Sequence, residues 1–179
     1  MTFGLFLTAV LVHIAAAVSP GPSFVLSVRT AAAEGFRVAA ALALGFGLGA
    51  ATWAIAALVG LKILFEVVPS LFIALKLAGG LFLLYIAVQM WRHARDPVET
   101  HLDPNAAPRS MLSGLRLGFT TFMANPKPAV FFGSIFVTIV PQDTPVPWLI
   151  ALVTVVGLNE MLWYLVVARA FSLIAASAR

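Results

Sequence analysis

The sequence predicts an all-α integral membrane protein, and two features support that prediction. Of the 179 residues, 61% are hydrophobic and only 10% are charged, and the mean hydropathy is +1.03. A water-soluble domain of this length carries far more charge on its surface. Five stretches also reach the roughly 20 mostly apolar residues that a helix needs to cross a bilayer. We therefore expect a bundle of five full membrane spans.

The five predicted spans are residues 3–28, 38–61, 67–91, 117–140 and 144–168. A polar segment, residues 92–110, separates the third span from the fourth. Its mixed charges and its prolines are typical of a linker. The predicted organisation is thus a three-helix unit in residues 1–91, a linker, and a second unit in residues 111–179 that holds two spans.

Basic residues are unevenly distributed between the two sides that alternate loops would occupy. One side carries eight: Arg29, Arg37, Arg92, Arg95, Arg109, Arg116, Arg169 and Arg179. The other side carries Lys62 alone. The positive-inside rule makes the basic side cytoplasmic, so we expect the N-terminus on the opposite, outer side of the membrane. The positive charge is then a topology signal, and no basic-aromatic stripe supports nucleic-acid binding.

Two proline motifs interrupt predicted spans at corresponding places. Ser19-Pro20-Gly21-Pro22 breaks the first span, and Asn125-Pro126-Lys127-Pro128 breaks the fourth, which is the first after the linker. Proline lacks the N–H that an α-helix needs and clashes with the preceding turn. Because the second break lies three spans after the first, the second unit enters the membrane with the opposite polarity. This pattern predicts two inverted three-helix repeats, the second lacking its last span; two unrelated proline kinks would be the simpler alternative.

A broken helix inside a membrane suggests a binding site. Backbone groups freed by the break cannot face lipid, so they are buried in protein or line a wet cavity. Helix N-termini attract carboxylates, and unwound carbonyl groups attract cations. An amino acid, which carries both charges, fits such a place. The predicted substrate-binding or gating residues are Pro20, Gly21, Pro22, Asn125, Pro126, Lys127, Pro128 and Glu160.

Lys127 and Glu160 are the charged candidates among these. Lys127 lies near the middle of the fourth predicted span, where an ammonium group should face the bundle interior or water. It either binds a carboxylate or is a structural lysine neutralised by Glu160. Glu160 either carries a proton or binds an amino group, unless it is only ion-paired or snorkelling. His13, alone on an alanine-rich stretch, is expected to form a hydrogen bond between helices.

Small residues four apart are expected to let helices pack closely in lipid. The two glycine pairs of this kind are Gly45 with Gly49 and Gly114 with Gly118. The chain has no cysteine, its three histidines are scattered, and it contains no phosphate-binding loop or catalytic constellation. We therefore expect neither a metal, a cofactor nor an enzymatic activity.

The proline motifs also resemble those of the LysE/RhtB family of bacterial amino-acid exporters, and the similarity runs along nearly the whole chain. Its first-span Pro-Gly-Pro resembles residues 20–22, and its Asn-Pro-Lys-x-x-x-Phe-Phe signature resembles residues 125–132. The segments "LGFGLGA" and "LKLAGGLFLLYIAVQMW" resemble its glycine-spaced stretch and its third span.

The resemblance implies a six-span inner-membrane exporter of amino acids or close analogues, driven by an ion or proton gradient. This chain has eleven residues beyond its fifth predicted span, too few for a sixth. We therefore expect a shortened version of a longer exporter, with a homodimer as another way to cover the unpaired surface. Two other interpretations are an inorganic-ion exporter and a truncated membrane protein that transports nothing.

Overall fold

The computed structural model describes residues 1–67 and 109–177, together with Leu81, Leu84, Val88 and Arg92. All the regular secondary structure in the two continuous stretches is helical. The helices are α1 (Phe3–Val18), α2 (Pro22–Glu34), α3 (Phe36–Val67), α4 (Met111–Ala124), α5 (Pro126–Ile139) and α6 (Val146–Ser177). The prediction of an all-α membrane protein is confirmed at this level.

Among the described residues, two helices are long and apolar enough to cross a membrane, namely Phe36–Gly60 within α3 and the whole of α6. Helices α1 and α2 meet at an angle of 57° and pass the same test together, as one broken span. The third predicted span, residues 67–91, lies almost entirely outside the described residues. A count of five spans therefore stays a prediction.

The helices extend beyond the predicted apolar stretches. α4 begins at Met111 rather than at residue 117. Ser110 caps this start, because its side chain accepts a hydrogen bond from the Ser113 N–H over 3.1 Å. α6 continues to Ser177, nine residues past the predicted end of the fifth span. Hydropathy marks only the part of a helix that suits the hydrocarbon core, whereas backbone hydrogen bonding carries the helix into the polar layers.

Many large apolar side chains of the described residues are exposed, as expected for a chain solvated by lipid. On α1 the buried residues Ala9, His13 and Ala17 recur every fourth position. Leu7 and Leu11, on the other face, are exposed. The buried stripe faces the bundle, so His13 points into the protein from an otherwise apolar helix.

Three side-chain contacts fix the direction of the broken helix α1–α2 relative to α6. Phe6 lies 5.4 Å from Trp148, His13 lies 3.3 Å from Glu160, and Phe24 lies 6.2 Å from Phe171. In these three contacts the residue numbers increase along α1–α2 and along α6 in the same order. The two are therefore parallel over most of the length of α6.

Helix α3 runs antiparallel to α6 and parallel to α4. Along α6, the ring of Phe46 contacts Tyr164 at 4.6 Å, while Gly47, one residue later, lies against Gly157 and Met161. Along α4, Val38 lies against Gly114 and Leu42 lies against Gly118. Broken helix α4–α5 therefore runs in the same direction as α3.

The α3–α4 interface contains all four glycines predicted to pack helices. A Cβ atom at Gly45 would collide with the carbonyl oxygen of Leu115, and one at Gly118 would collide with that of Leu42. At Gly114 it would lie 2.9 Å from the Val38 carbonyl oxygen, and at Gly49 2.9 Å from the Phe122 side chain. The backbones of α3 and α4 are in contact because these residues have no side chain.

Candidate functional site

The two proline motifs produce similar breaks. Ser19 ends α1 with φ −64° and ψ 126°, and Asn125 ends α4 with φ −79° and ψ 120°. Each residue precedes a proline, which favours this extended backbone. The N–H of each donates to the carbonyl three residues back, that of Ala16 or Phe122, over 3.3 Å. A new helix starts immediately after each break.

The breaks meet through Lys127. Its Nζ donates a hydrogen bond of 2.8 Å to the Ser19 hydroxyl, joining residues 108 positions apart. It also lies beside Gly21, where an added Cβ would be 3.8 Å from the ammonium nitrogen. The side chain of Lys127 is only half-buried. The charge thus lies between the two breaks, with part of its surface open.

The helices that follow the breaks begin differently. At α5 the side chain of Asn125 accepts the Lys127 N–H over 3.0 Å, which caps the helix. At α2 the residue before the helix is Gly21, which has no side chain to cap it. The first N–H groups of α2 therefore have no side-chain cap. They lie at the N-terminal end of the helix, which attracts negative charge.

Opposite charge is supplied by α6. The Oε2 atom of Glu160 lies 3.3 Å from Nε2 of His13, and Nδ2 of Asn159 lies 2.9 Å from His13 Nδ1. His13 is 3% exposed and Glu160 is 4% exposed. Two neighbouring side chains of α6 thus hold both nitrogens of one buried imidazole on α1. The sequence-based expectation of a helix-to-helix hydrogen bond at His13 is confirmed.

A cavity connects the lysine with the glutamate. It contains about 430 Å³ of space free of protein atoms, its mouth included. Its polar wall consists of His13, Ser19, Ser23, Asn125, Lys127, Glu160 and Tyr164. Its apolar wall consists of Ala16, Ala17, Gly21, Pro22, Phe122, Pro128, Phe131 and Phe132.

Most of the predicted site residues come together in this cavity. Six of the eight line it: Gly21, Pro22, Asn125, Lys127, Pro128 and Glu160. Pro20 is exposed and is absent from the wall, and Pro126 is the first residue of α5. These two prolines shape the backbone at the breaks. The four packing glycines lie at the α3–α4 interface instead.

Lys127 and Glu160 do not neutralise each other by direct contact. The hydrogen-bond partner of the lysine side chain is Ser19, and the glutamate carboxylate contacts the imidazole of His13. Both charges nevertheless line the same cavity. Each therefore borders the space in which a charged group of a ligand could bind.

The sequence alone does not place His13, Ser19, Ser23 or Tyr164 in the site. Ser19 lies within the first proline motif and is a readable signal. His13 joins the site only because α1 lies beside α6. Tyr164 lies on α6 itself, one helical turn from Glu160. Among the described residues, no group of three His, Cys, Asp or Glu side chains could hold a metal ion.

Broken apolar helices that close around a cavity with a fixed cation and a fixed anion define a membrane protein of the transport class. The chain belongs to the LysE type translocator family, which matches residues 14–179. The family resemblance of the proline motifs is therefore confirmed. A translocator moves its solute without transforming it, so the prediction of a transporter rather than an enzyme is confirmed as well.

Several relatives cover most of the chain. A threonine efflux protein of Escherichia coli (strain K12) is 35% identical over 173 residues, which are 94% of this chain and 82% of that protein. A threonine efflux protein of Salmonella typhimurium is 32% identical over 174 residues, with the same coverage. The chemotactic transduction protein ChpE of Pseudomonas aeruginosa is 33% identical over 131 residues, which are 73% of this chain and 63% of that one. No solved structure matches the chain.

Proposed function

We propose that this protein exports amino acids from the cytoplasm across the bacterial inner membrane. Membership of a translocator family supports transport, and the threonine efflux proteins that cover 94% of the chain support an amino acid as the solute. Threonine is the first substrate to test. The observation that carries the proposal is the cavity between the breaks, lined by Lys127 and by Glu160.

The carboxylate of the substrate binds beside Lys127. The lysine ammonium group and the N-terminus of α2 approach each other at Gly21, and both favour a negative group. Gly21 leaves room there, because it neither caps α2 nor covers its first N–H groups. A carboxylate in this position accepts a hydrogen bond from Lys127 that is strengthened by the charges of both groups.

The ammonium group of the substrate binds to Glu160. This carboxylate lines the cavity and has His13 on one side. A carboxylate accepts several hydrogen bonds, so the contact with His13 leaves further lone pairs for a ligand. The apolar wall around Phe122, Phe131 and Phe132 leaves the small side chain of the substrate in a largely apolar space.

The proposed architecture is two inverted repeats that rock about the breaks to open the cavity to either side. Contacts between α1 and α5 support it. Ser19 lies against Lys127, while the earlier residue His13 lies against the later residues Phe131 and Phe132. The two broken helices therefore pass each other antiparallel at their breaks, as an inverted pair requires.

Contacts at the membrane ends support the proposed orientation. Glu34 at the end of α2 pairs with Arg109 before α4, at 3.3 Å, and Arg169 lies 5.6 Å over the ring of Phe36. These contacts place the basic residues Arg109 and Arg169 at the same end of the bundle. Phe6 and Trp148 meet at the other end. We propose that the basic end is cytoplasmic and that the N-terminus is periplasmic.

Efflux from proteoliposomes tests the function. Vesicles that contain the purified chain and are loaded with labelled L-threonine should lose the label faster than protein-free vesicles. Unlabelled threonine outside should exchange with it. Glu160→Gln should slow this efflux, whereas Glu34→Gln, which removes a charge from the ion pair with Arg109, should leave the rate within about twofold. Efflux of inorganic cations without efflux of any amino acid would overturn the proposal.

Reporter fusions test the orientation. A reporter in residues 92–110 should be cytoplasmic, and one in residues 142–144 should be periplasmic, because the basic side stays inside. The opposite labelling would reverse the orientation, and the same location for both would remove the inverted repeat.

A further inference from the structure

We propose that Ser23 and Tyr164 form a third subsite of the cavity, which binds a hydroxyl group on the side chain of the substrate. The inference rests on the proposed amino-acid site and adds the residues that select among amino acids. In that site Lys127 and Glu160 bind the two charged groups that every amino acid carries, so neither residue distinguishes one amino acid from another. A pair of hydroxyl groups beside them favours substrates with a hydroxyl group of their own.

Ser23 and Tyr164 come from different helices and meet at the cavity. Ser23 is the second residue of α2, and Tyr164 lies on α6. Both line the cavity, although they are only 5% and 3% exposed. Their side chains hydrogen-bond to each other. A polar pair is thus built into a buried part of the cavity wall.

The pair lies close to both of the proposed charged subsites. Glu160 and Tyr164 are four residues apart on α6, and residues at this spacing lie on the same face of a helix. Ser23 follows Gly21, beside which the carboxylate is proposed to bind, by two residues. The side chain of an amino acid branches from the carbon atom that joins its carboxylate to its amino group. It therefore reaches the pair while both charged groups are bound.

The buried face of α6 is otherwise apolar in this region. Glu160 and Tyr164 are its polar members, and the other buried residues of the helix are Leu152, Val156, Val167 and Ala168. A buried hydroxyl group costs free energy unless it is hydrogen-bonded. The polar groups of this face are thus confined to the part of the helix that borders the cavity.

The hydrogen-bonding capacity of the pair matches an alcohol. When one of the two hydroxyl groups donates to the other, the pair keeps one O–H donor and several acceptor lone pairs. A carboxylate only accepts hydrogen bonds and an ammonium group only donates them, whereas an alcohol does both. A methyl group in the same place would leave the donor and the lone pairs without a partner, which is unfavourable in a buried site.

Aromatic packing holds the ring of Tyr164 in place. The ring lies 4.6 Å from that of Phe46, which is fully buried, and Phe46 lies 6.0 Å from the ring of Phe122 in the apolar wall of the cavity. Packing of this kind restrains the tyrosine, so its hydroxyl group keeps a defined position for a ligand. The same rings offer an apolar surface to the methyl group of threonine.

Two matched pairs of amino acids test the subsite. L-Threonine has a hydroxyl group where L-valine has a methyl group, and L-serine has one where L-alanine has a hydrogen atom. Calorimetry with the whole chain in detergent measures the Kd of each. We expect threonine to bind at least about tenfold more tightly than valine, because valine leaves the polar pair unmatched. Serine should be preferred to alanine by less, since water can take the place of the hydroxyl group.

Tyr164→Phe and Ser23→Ala each remove one hydroxyl group of the pair. In either variant the preference for threonine over valine should fall to within about threefold, because threonine loses a hydrogen bond that valine never makes. The Kd of valine should change by less than about threefold.

Ser27→Ala is the matched control. Ser27 lies one turn further along α2, is fully buried and is not among the residues that line the cavity. Its hydroxyl group has no hydrogen-bond partner among the described residues. The variant should therefore keep the preference of the unmodified chain for threonine.

The outcomes separate this inference from the proposed function. Equal binding of threonine and valine by the unmodified chain would overturn the inference and leave amino-acid export standing. Equal weakening of all four amino acids in Tyr164→Phe and Ser23→Ala would also overturn it, because the pair would then serve only the helix contact or the carboxylate. If one of these variants does not fold, the other variant and the ligand pairs on the unmodified chain decide. A chain that neither binds nor moves any amino acid would contradict both proposals.

Discussion

The two breaks share a backbone but differ in the chemistry of their side chains. Ser19 and Asn125 have nearly the same dihedral angles and the same three-residue hydrogen bond, and each is followed by Pro-x-Pro. The residue between the prolines is Gly21 in the first break and Lys127 in the second. One break therefore leaves space and an uncapped helix end, and the other supplies a cap and a cation.

This difference shows how a repeated backbone makes an asymmetric site. Two lysines would place like charges side by side, and two glycines would leave no cation for a carboxylate. With one of each, the Lys127 ammonium group of the second break reaches the hydroxyl of Ser19 in the first, at 2.8 Å. The substitutions below are designed to change one break at a time.

Lys127→Ala should have the largest effect. It removes the only cation of the described cavity wall, and breaking a partly buried, hydrogen-bonded charged contact costs about 2–5 kcal/mol. We expect threonine efflux to fall at least about thirtyfold, while the abundance in the membrane stays within about twofold because loss of a charge does not hinder insertion. Initial rates of efflux from proteoliposomes measure the first quantity and immunoblotting of membranes the second.

Two further variants control that result. Lys127→Arg keeps the charge but replaces a compact ammonium group by a planar fork, so efflux should be reduced as well. Arg116→Ala removes an exposed positive charge from α4 and should leave the rate within about twofold. Normal efflux by Lys127→Ala would give the lysine a structural role alone.

Asn125→Ala should have an intermediate effect. It removes the cap of α5, which typically costs about 0.5–2 kcal/mol of stability. In detergent the midpoint of thermal unfolding should fall by about 2–4 °C for each kcal/mol. Efflux should fall several-fold, because Lys127 lies in the first turn of the helix that loses its cap.

Ser110→Ala is the matched control, since it removes the corresponding cap of α4 at an exposed position away from the cavity. It should lower the stability by a similar amount and leave efflux per folded molecule unchanged. Equal losses of efflux in both variants would mean that capping acts only through stability.

Gly21→Ala should have the smallest effect. The backbone of Gly21 is extended, with φ −168°, which any residue adopts, and a new Cβ would lie 3.8 Å from the lysine nitrogen. Stability should therefore change by no more than about 0.5 kcal/mol. The methyl group still narrows the space beside the helix end, so efflux should fall by a factor of about two to five. An unchanged rate would argue against carboxylate binding at Gly21.

Much of this site is predictable from the sequence because its elements have a local signature. Pro20, Pro22, Pro126 and Pro128 break helices by their own chemistry, and Lys127 is conspicuous in an apolar span. Glu160 is conspicuous for the same reason. These features alone predict the broken helices and six residues of the cavity wall.

The rest depends on packing that has no local signature. Nothing near His13 in the sequence shows that the ring faces Glu160, which lies 147 positions away, because that contact requires α1 to lie beside α6 in one register. Hydropathy located α4 and α6 but predicted too late a start for α4 and too early an end for α6. The pairing of Lys127 with Ser19 rather than with Glu160 likewise follows from the meeting of the breaks.

The most direct test of the proposed site is a comparison of three ligands with three proteins. The ligands are L-threonine, the amino alcohol that lacks its carboxylate, and the hydroxy acid that lacks its amino group. Binding to the unmodified chain, Lys127→Ala and Glu160→Gln is measured by calorimetry in detergent. The unmodified chain should prefer threonine to either analogue by at least about tenfold, since each analogue leaves one charge of the site unpaired.

We expect a crossed pattern in the two variants. Lys127→Ala should lose the preference for threonine over the amino alcohol and keep the preference over the hydroxy acid, and Glu160→Gln should show the reverse. If both variants instead weaken all three ligands by the same factor, the lysine and the glutamate do not divide the two charges of the substrate. That result would contradict the site proposed between the two breaks.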